Sequence, residues 1–203
     1  MFQLVGGSGF IGSSLAGIIS ENNFQILDKN PSVAFPDKVN FGDVRNINLL
    51  RQHLSGAKVV VLLAAEHRDD VVPTSLYYEV NVEGARNVVQ VMREHDIRRL
   101  IFTSTVAVYG LNRESPKETD EVNPFGDYGQ SKWEAEEGLR LASTWATPTD
   151  PEEDGLSFGA STLFFSTRQG GMGLSMKSLQ EDALEGTLVS MQMQYESFDG
   201  ELV

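Results

Sequence analysis

The chain of 203 residues contains no cysteine, which excludes a disulfide framework, a thiolate metal site and a cysteine nucleophile. It also lacks a long apolar run. The longest uninterrupted one, Val59 to Ala65, is far shorter than the ~20 residues that span a bilayer. The N-terminus, MFQLVGG, has no basic stretch followed by an apolar segment, so we expect no secretory signal, no membrane span and a cytoplasmic protein.

Basic residues are scarce as well. The formal net charge is −13, with 29 acidic residues against 16 basic ones, and no local run of Lys or Arg offsets it. Such a surface repels a phosphate backbone, so nucleic acid is not an expected partner. The hydrophobic share of 40% and the charged share of 22% are those of an ordinary globular protein that folds around its own core.

Strands and helices alternate along the first two thirds of the chain. Short apolar runs predict strands at Phe2–Val5, Phe24–Asp28, Val39–Phe41, Lys58–Ala65 and Arg99–Ser104. Apolar residues at helical spacing predict helices from Phe10 to about Ile19, and at Asn46–Leu54, Ser75–His95 and Tyr128–Leu141. This order predicts an α/β fold with a doubly wound, parallel sheet and right-handed crossovers.

The pattern weakens after Leu141, where ten acidic residues stand against two basic ones in residues 142–203. There, Ser161–Thr167 is compatible with a strand and Met176–Met193 with a partial helix, and we find no motif with a chemical role. We therefore divide the chain into an α/β domain over residues 1–141, which carries the motifs considered next, and an atypical acidic tail over residues 142–203.

Three glycines, Gly6, Gly9 and Gly12, follow the first strand and begin the first helix. This is a spacing variant of the glycine fingerprint for dinucleotides. The chain must turn sharply, let a pyrophosphate approach bare backbone, and pack the helix closely on the sheet. The first amides of the helix then face the phosphates. A purely structural turn is the alternative interpretation.

Two aspartates support the dinucleotide hypothesis. Asp28, at the tip of the second strand, can accept both hydroxyls of an adenosine ribose and repels a 2′-phosphate, which favours NAD over NADP. The neighbouring Lys29 would soften that repulsion. Asp43 follows the third strand, where it can meet an adenine amino group, but spacing alone favours a cap for the helix that begins near Asn46.

Tyr128 and Lys132 lie four residues apart and so share one face of a helix. A tyrosine with a pKa near ~10 is a poor base at neutral pH, whereas a nearby ammonium and the positive end of a helix favour its phenolate. Such a pair suits proton exchange with a substrate hydroxyl. A surface tyrosine beside a solvated lysine is the alternative. Ser104 and Thr105 end the preceding strand, and either hydroxyl can bind a substrate oxygen there.

Together these segments resemble the extended short-chain dehydrogenase/reductases, specifically the NAD-dependent epimerase/dehydratase group that acts on nucleotide sugars. The segments occur in the family's order: GGSGFIG (6–12), the Asp28 strand end, GDVRN (42–46), LLAAEHRDD (62–70), YYEVNVEGARNV (77–88), FTSTVAVYG (102–110) and NPFGDYGQSKWEAE (123–136). Two of these segments, LLAAEHRDD and NPFGDYGQSKWEAE, are most similar to sugar epimerases of bacterial surface-polysaccharide pathways and to UDP-glucose 4-epimerases. The resemblance implies a Rossmann-type fold with bound NAD.

The resemblance also implies cofactor-binding roles for the matching residues. The pyrophosphate would be held by Gly6, Gly9, Phe10, Ile11 and Gly12. Asp28 would bind the adenosine ribose, and Asp43 and Val44 the adenine. The middle of the cofactor would be lined by Leu63, Ala64 and Ala65.

The catalytic roles follow from the same match. Tyr128 would be the general base and acid, and Lys132 would bind the nicotinamide ribose and tune Tyr128. Thr105 stands at the Ser/Thr position of the family's triad, with Ser104 beside it. Asn81 would support backbone rather than take part in chemistry, and His67 is expected to be a satisfied loop residue rather than a catalytic one.

The implied reaction is oxidation of a sugar hydroxyl by NAD⁺, turnover of the keto sugar, and reduction on its other face. A dehydratase would need an acidic pair after the Ser/Thr position, where Val106 and Ala107 stand, so epimerisation is favoured. Relatives continue with a strand that ends in Arg-Pro and a domain for the nucleotide sugar, and residues 142–203 match neither.

A truncated, degenerate or frame-shifted coding sequence would explain that tail. The alternative function is accordingly a non-catalytic NAD-binding module or a nonfunctional fragment. Because members of the family often dimerise through two long helices, the resemblance also implies a homodimer.

Overall fold

The computed structural model describes residues 1–111 and 120–144, which contain a five-stranded, entirely parallel sheet with the strand order β3-β2-β1-β4-β5. The strands are β1 (Phe2–Val5), β2 (Phe24–Asp28), β3 (Val39–Phe41), β4 (Val59–Leu62) and β5 (Leu100–Phe102). The helices are α1 (Phe10–Ala16), α2 (Ile47–Leu54), α3 (Ser75–Tyr77), α4 (Gly84–Glu94) and α5 (Gly126–Thr144). The predicted doubly wound α/β fold is confirmed.

Helices cover both faces of the sheet. Successive strand residues point to opposite faces, so Val5 and Leu27 join the core beneath α2, α4 and α5, whereas Leu4 and Ile26 join the core beneath α1. Because both faces are buried, β4 (VVVL) and β5 (LIF) are continuous apolar runs without alternation, whereas β1, β2 and β3 each include a polar amide residue. In register, Val5 pairs with Leu27 and with Leu62, which brings the carboxyl ends of the three central strands to one edge.

Three elements are shorter than the sequence predicts, among them β5, which covers Leu100–Phe102 of the predicted Arg99–Ser104. α1 ends at Ala16 because Gly17 follows as its C-terminal cap, so the apolar residues up to Ile19 continue as a turn that still packs on the core. β4 ends at Leu62 because the next two amides, of Leu63 and Ala64, both donate to the Val5 carbonyl, at 2.7 and 2.9 Å. The chain thereby leaves the sheet and enters the site.

The long helix predicted over 75–95 is present but interrupted. α3 passes through a π-helical turn at Tyr78–Glu83 before it continues as α4. A π-turn inserts one residue into the helical repeat and rotates the faces on either side of it, a feature often found at functional sites. Here it contains the buried Asn81.

The predicted tail, residues 142–203, lies outside the described residues from 145 onward, as do the strand predicted at Ser161–Thr167 and the helix predicted at Met176–Met193. Within residues 1–111 and 120–144, no helix has the length and apolarity needed to cross a bilayer.

Candidate active site

An open cleft with a volume of about 610 Å³ lies at the carboxyl edge of the sheet. This is where parallel sheets of this winding bind ligands. Every residue that the sequence assigns to catalysis or cofactor binding lines the cleft: Gly6, Gly9, Phe10, Ile11, Gly12, Asp28, Asp43, Val44, Leu63, Ala64, Ala65, Ser104, Thr105, Tyr128 and Lys132. Their individual roles remain predictions.

The three fingerprint glycines meet different demands. Gly6 has a positive φ of 83°, and a Cβ there would lie 2.3 Å from the Ala64 amide nitrogen. At Gly12 a Cβ would lie 2.3 Å from the Gly7 carbonyl oxygen. Both positions therefore require glycine for the fold itself.

Gly9 differs from the other two. Its backbone is extended, with φ −76°, and a Cβ would meet only the Gly6 carbonyl oxygen, at 3.9 Å. The fold thus has no need for glycine there. Gly9 is exposed and lines the cleft, so the missing side chain leaves room for a group that approaches the backbone. This vacant space fits the pyrophosphate of a dinucleotide.

Asp28 is held in place by the glycine turn. Its carboxylate accepts hydrogen bonds from the Ser8 amide at 3.0 Å and from the Asn30 amide at 2.8 Å. Two carboxylate oxygens have about four acceptor sites, so acceptor capacity remains for a ligand hydroxyl. The neighbouring Lys29 lies 3.9 Å from the buried Glu66 carboxylate.

Asp43 does not cap α2, contrary to the expectation from spacing. Asn46 is the cap, since its side-chain oxygen accepts from the amides of Asn48 and Leu49. Asp43 instead pairs with Arg45 at 2.7 Å, and that hydrogen-bonded guanidinium holds the pKa of the Asp43 carboxyl below its ordinary value. Asp43 therefore faces the cleft as a charged acceptor.

Tyr128 lies in the first turn of α5, as predicted, and beside Thr105. The helix approaches the turn at Val106–Tyr109 so closely that a Cβ at Gly129 would lie 2.9 Å from the Ala107 carbonyl oxygen. Thr105 caps that turn, and its hydroxyl accepts from the Ala107 amide at 3.3 Å. Burial raises the pKa of the Tyr128 phenol, and hydrogen bonding to Thr105 partly opposes the rise.

Lys132 does not tune Tyr128 in the way the sequence predicts. Its Nζ donates to the Thr103 carbonyl at 2.6 Å and lies 4.0 Å from the centre of the Phe102 ring. Burial lowers the pKa of Lys132 to about 7, with the charge of Glu136 acting in the opposite direction. The expectation of a lowered pKa at Tyr128 is wrong for this structure, since that pKa is raised.

The two strand-end hydroxyls are not equivalent. Thr105 faces Tyr128, whereas the Ser104 hydroxyl donates to the buried Glu136 carboxylate. Both residues line the cleft, but only Thr105 has its hydroxyl beside the phenol. The geometry therefore favours Thr105 over Ser104 for binding a substrate oxygen.

Asn81 has the supporting position expected of it. Its amide group exchanges two hydrogen bonds with the backbone of Glu66 and donates a third to the Ser131 hydroxyl at 2.9 Å. His67 departs from expectation: it is exposed at the cleft, and its side chain makes no hydrogen bond to the other residues that the structure describes.

Several cleft residues escape the sequence analysis. Ser8, Asn30, Val80 and Thr103 also line it. The amides of Ser8 and Asn30 hold the Asp28 carboxylate, and such backbone contacts carry no residue-type signal, although the Ser8 hydroxyl also donates to the Asn30 carbonyl at 2.9 Å. Glu136 lies outside the cleft lining but contacts Ser104 across 32 positions of sequence. Its place in the segment SKWEAE, four residues after Lys132, is the one signal that was available.

A family model described as "NAD dependent epimerase/dehydratase family" matches residues 3–144. Among curated proteins, the N-acetyl-alpha-D-glucosaminyl-diphospho-ditrans,octacis-undecaprenol 4-epimerase of Escherichia coli O157:H7 is 48% identical over 169 residues, 83% of this chain and 50% of that protein. The UDP-glucose 4-epimerase of Halalkalibacterium halodurans is 31% identical over 64% of this chain and 42% of its own length. The chain thus spans about half the length of the curated relatives it matches.

Solved structures agree with this match. The UDP-glucose 4-epimerase from Brucella ovis in complex with NAD superposes with a TM-score of 0.64 at 26% identity, covering 70% of this chain and 47% of that one. The UDP-Glc/GlcNAc 4-epimerase from Campylobacter jejuni gives a TM-score of 0.63 at 25% identity, covering 71% and 49%.

Proposed function

The chain belongs to the NAD-dependent epimerase/dehydratase family, and from that premise we propose that it forms the cofactor-binding half of a sugar 4-epimerase. One observation carries the proposal. A single cleft brings together the glycine turn, the Asp28 carboxylate and the neighbouring pair of half-buried Tyr128 and buried Thr105. The glycine turn and Asp28 suit a dinucleotide, and the pair of Tyr128 and Thr105 suits proton transfer to a substrate hydroxyl beside that dinucleotide.

The cofactor in this proposal is NAD. The bare backbone at Gly9 would face the pyrophosphate, and Asp28 would accept the hydroxyls of the adenosine ribose. The Asp28 charge opposes a 2′-phosphate, and Lys29, which shares its charge with Glu66, offsets that opposition in part. When bound, NAD⁺ supplies the reversible oxidation of the sugar carbon that inversion at that carbon requires.

Tyr128 would exchange the proton of the reacting sugar hydroxyl. Because its pKa is raised by burial, the phenol is protonated at neutral pH and is ready to return a proton to the keto oxygen. To act as a base it needs stabilisation of the phenolate, which the Thr105 hydroxyl supplies through its hydrogen bond. Proton transfer of this kind contributes typically ~10²–10⁴-fold to a rate.

The proposed substrate is a sugar linked through a diphosphate. The named substrates of the relatives share that group but differ beyond it: a nucleoside follows in UDP-glucose and UDP-GlcNAc, and undecaprenol follows in the lipid-linked sugar. Our primary proposal is a nucleotide sugar. The 48% identity to the enzyme for the undecaprenol-linked sugar favours a lipid-linked substrate as the second candidate.

The test has two stages. NAD⁺ and NADP⁺ are first titrated against the chain by protein fluorescence, and we expect tighter binding of NAD⁺. UDP-GlcNAc, UDP-glucose and GlcNAc-diphospho-undecaprenol are then offered separately to this chain and to a version extended by a family-type C-terminal region. Conversion to the 4-epimer is followed by chromatography.

We expect turnover of one substrate class in the extended protein and its loss in Tyr128→Phe, with NAD⁺ affinity nearly unchanged. Conversion only of the lipid-linked sugar would select the second candidate. Absence of NAD⁺ binding would overturn the proposal for this chain. Turnover that survives Tyr128→Phe would remove Tyr128 from its proposed role.

A further inference from the structure

Glu136 is a buried acid for which the proposed reaction has no use. It lies on α5 one turn after Lys132, and its side chain is only 8% exposed. A buried carboxylate is costly unless it is hydrogen-bonded or paired with a charge. The partners of Glu136 therefore indicate its role.

Those partners hold the carboxylate from two sides. One oxygen accepts a hydrogen bond from the hydroxyl of Ser104, two residues after β5, and the other lies 3.3 Å from Nη2 of Arg140 in the next turn of α5. The carboxylate is thus fixed between the segment that follows the edge strand β5 and the helix that carries Tyr128 and Lys132.

Lys132 lacks comparable support of its own. Its ammonium is buried, donates to the neutral carbonyl of Thr103 at 2.6 Å and lies above the Phe102 ring. Lys132 and Glu136 make no direct ion pair, but the negative charge one turn away stabilises the ammonium, while burial lowers the pKa of Lys132 to about 7.

Lys132 and Glu136 are anchored on adjacent residues, Thr103 and Ser104, so two buried side chains of opposite charge lie one turn apart on α5 at the same place beyond β5. Among the described residues, Glu136 is the charged side chain that raises the pKa of Lys132, and Arg140, bound to the same carboxylate, partly offsets that negative charge. The charge of Lys132 near neutral pH therefore responds to Glu136.

We propose that Glu136 is a positioning residue that favours the charged form of Lys132 and holds this side chain at the wall of the cleft. Ser104 acts with it by fixing the carboxylate, which gives that hydroxyl a task other than binding substrate. The consequence, that Glu136 supports cofactor binding through Lys132, rests on the proposed function. Glu136 is not among the residues that line the cleft and so acts only through its neighbour.

The test compares Glu136→Gln, which keeps the shape and removes the charge, with Glu137→Gln at the next, exposed position of α5. The titration of Lys132 is followed by NMR of isotopically labelled lysine side chains and assigned by loss of the signal in Lys132→Met. In Glu136→Gln we expect the Lys132 pKa to fall by about one pH unit. Glu137→Gln should leave it unchanged, and Glu136→Asp should restore most of the wild-type value.

Affinity for NAD⁺ provides the second readout. Above its pKa, a fall of about one pH unit reduces the charged fraction of Lys132 roughly tenfold. The Kd for NAD⁺ in Glu136→Gln should therefore rise toward that of Lys132→Met near pH 8 and approach wild type at lower pH, where the ammonium is restored. A merely structural role would weaken binding equally at every pH.

Three results would count against the proposal. An unchanged Lys132 titration in Glu136→Gln would overturn it directly. Unfolding of both Glu136→Gln and Glu136→Asp would make Glu136 a structural residue and would overturn it as well. Unchanged NAD⁺ binding in Lys132→Met would instead remove Lys132 from the proposed function and overturn only the consequence for cofactor binding.

Discussion

Asn81 and Glu66 exchange two hydrogen bonds although 15 positions separate them: the Glu66 amide donates to Oδ1 of Asn81 at 2.8 Å, and Nδ2 of Asn81 donates to the Glu66 carbonyl at 3.0 Å. The amide side chain thus substitutes for the neighbouring strand that Glu66 lost when the chain left the sheet after β4. It fixes the loop that forms one wall of the cleft.

Replacement of Asn81 should therefore cost stability. In Asn81→Ala the buried amide and carbonyl of Glu66 lose their partners, and we expect the free energy of unfolding to fall by about 2 kcal/mol or more. Urea denaturation measures it. Gln90→Ala, at an exposed position of α4, is the control and should change little. Equal effects in the two variants would contradict the supporting role of Asn81.

The glycine turn allows stability and ligand binding to be separated. Gly12→Ala places a methyl group against the Gly7 backbone and should lower the free energy of unfolding by about 2 kcal/mol or more. Gly9→Ala meets no such obstacle and, as a change at the N-cap of α1, should lower the free energy of unfolding by less than about 1 kcal/mol. Its affinity for NAD⁺ should nevertheless fall about tenfold or more, because the methyl group occupies the space proposed for the pyrophosphate.

Thermal denaturation and fluorescence titration decide between these effects. If Gly9→Ala bound NAD⁺ as tightly as wild type, the pyrophosphate would lie elsewhere in the cleft. If it were as unstable as Gly12→Ala, the structural distinction between the two positions would be wrong.

Asp28 should control the choice between dinucleotides. In Asp28→Ala the negative charge that opposes a 2′-phosphate is lost, so the preference for NAD(H) over NADP(H) should shrink about tenfold. The ratio of the two Kd values is the measurement, because the ratio cancels a general weakening of the turn. Asp37→Ala, an exposed acid between β2 and β3, should preserve the ratio. Tighter binding of NADP(H) by wild type would remove Asp28 from the ribose.

Stability should increase with pH above neutrality because of Lys132. Its pKa is about 7 in the folded chain against an ordinary 10.5, so between these values the unfolded chain holds a proton that the folded chain has released. The free energy of unfolding therefore rises over this window, by at most about 1.4 kcal/mol per pH unit. Urea denaturation at several values between about pH 7 and pH 9 measures the slope.

In Lys132→Met the same urea series should lose the part of the rise in unfolding free energy with pH that is due to Lys132. Lys58→Met, at an exposed position, should keep that rise. A slope that is identical in wild type and Lys132→Met would show that Lys132 remains charged throughout the window.

The sequence predicted which residues would meet at the cleft because the fold makes that placement simple. Residues that follow parallel strands reach one edge of the sheet, so Gly6, Asp28, Asp43, Ala64 and Thr105 converge although they are far apart in the chain. The alternation of apolar runs with helical spacing was sufficient to predict the strands and the winding.

Orientation within the cleft was not predictable in the same way. The direction of Lys132 and the pairing of Ser104 with Glu136 depend on how closely α5 packs against the end of β5, which no local pattern records. The π-turn was missed because one inserted residue hardly changes the apolar spacing of a helix. Asn46 and Asp43 both have side chains that suit the N-cap of α2, so their residue types do not show which of them caps the helix. In the structure Asn46 is the cap, because the Asp43 carboxylate is paired with Arg45.

Gly9 has a consequence for comparing sequences of this kind. Random substitution at Gly6 or Gly12 damages the fold, so any lineage that still needs a folded chain retains both glycines whatever the chain does. Substitution at Gly9 leaves the fold intact, so only a ligand at the backbone selects against it. Among descendants of such a chain, drift at this one position would mark those that had abandoned the dinucleotide while they kept their architecture.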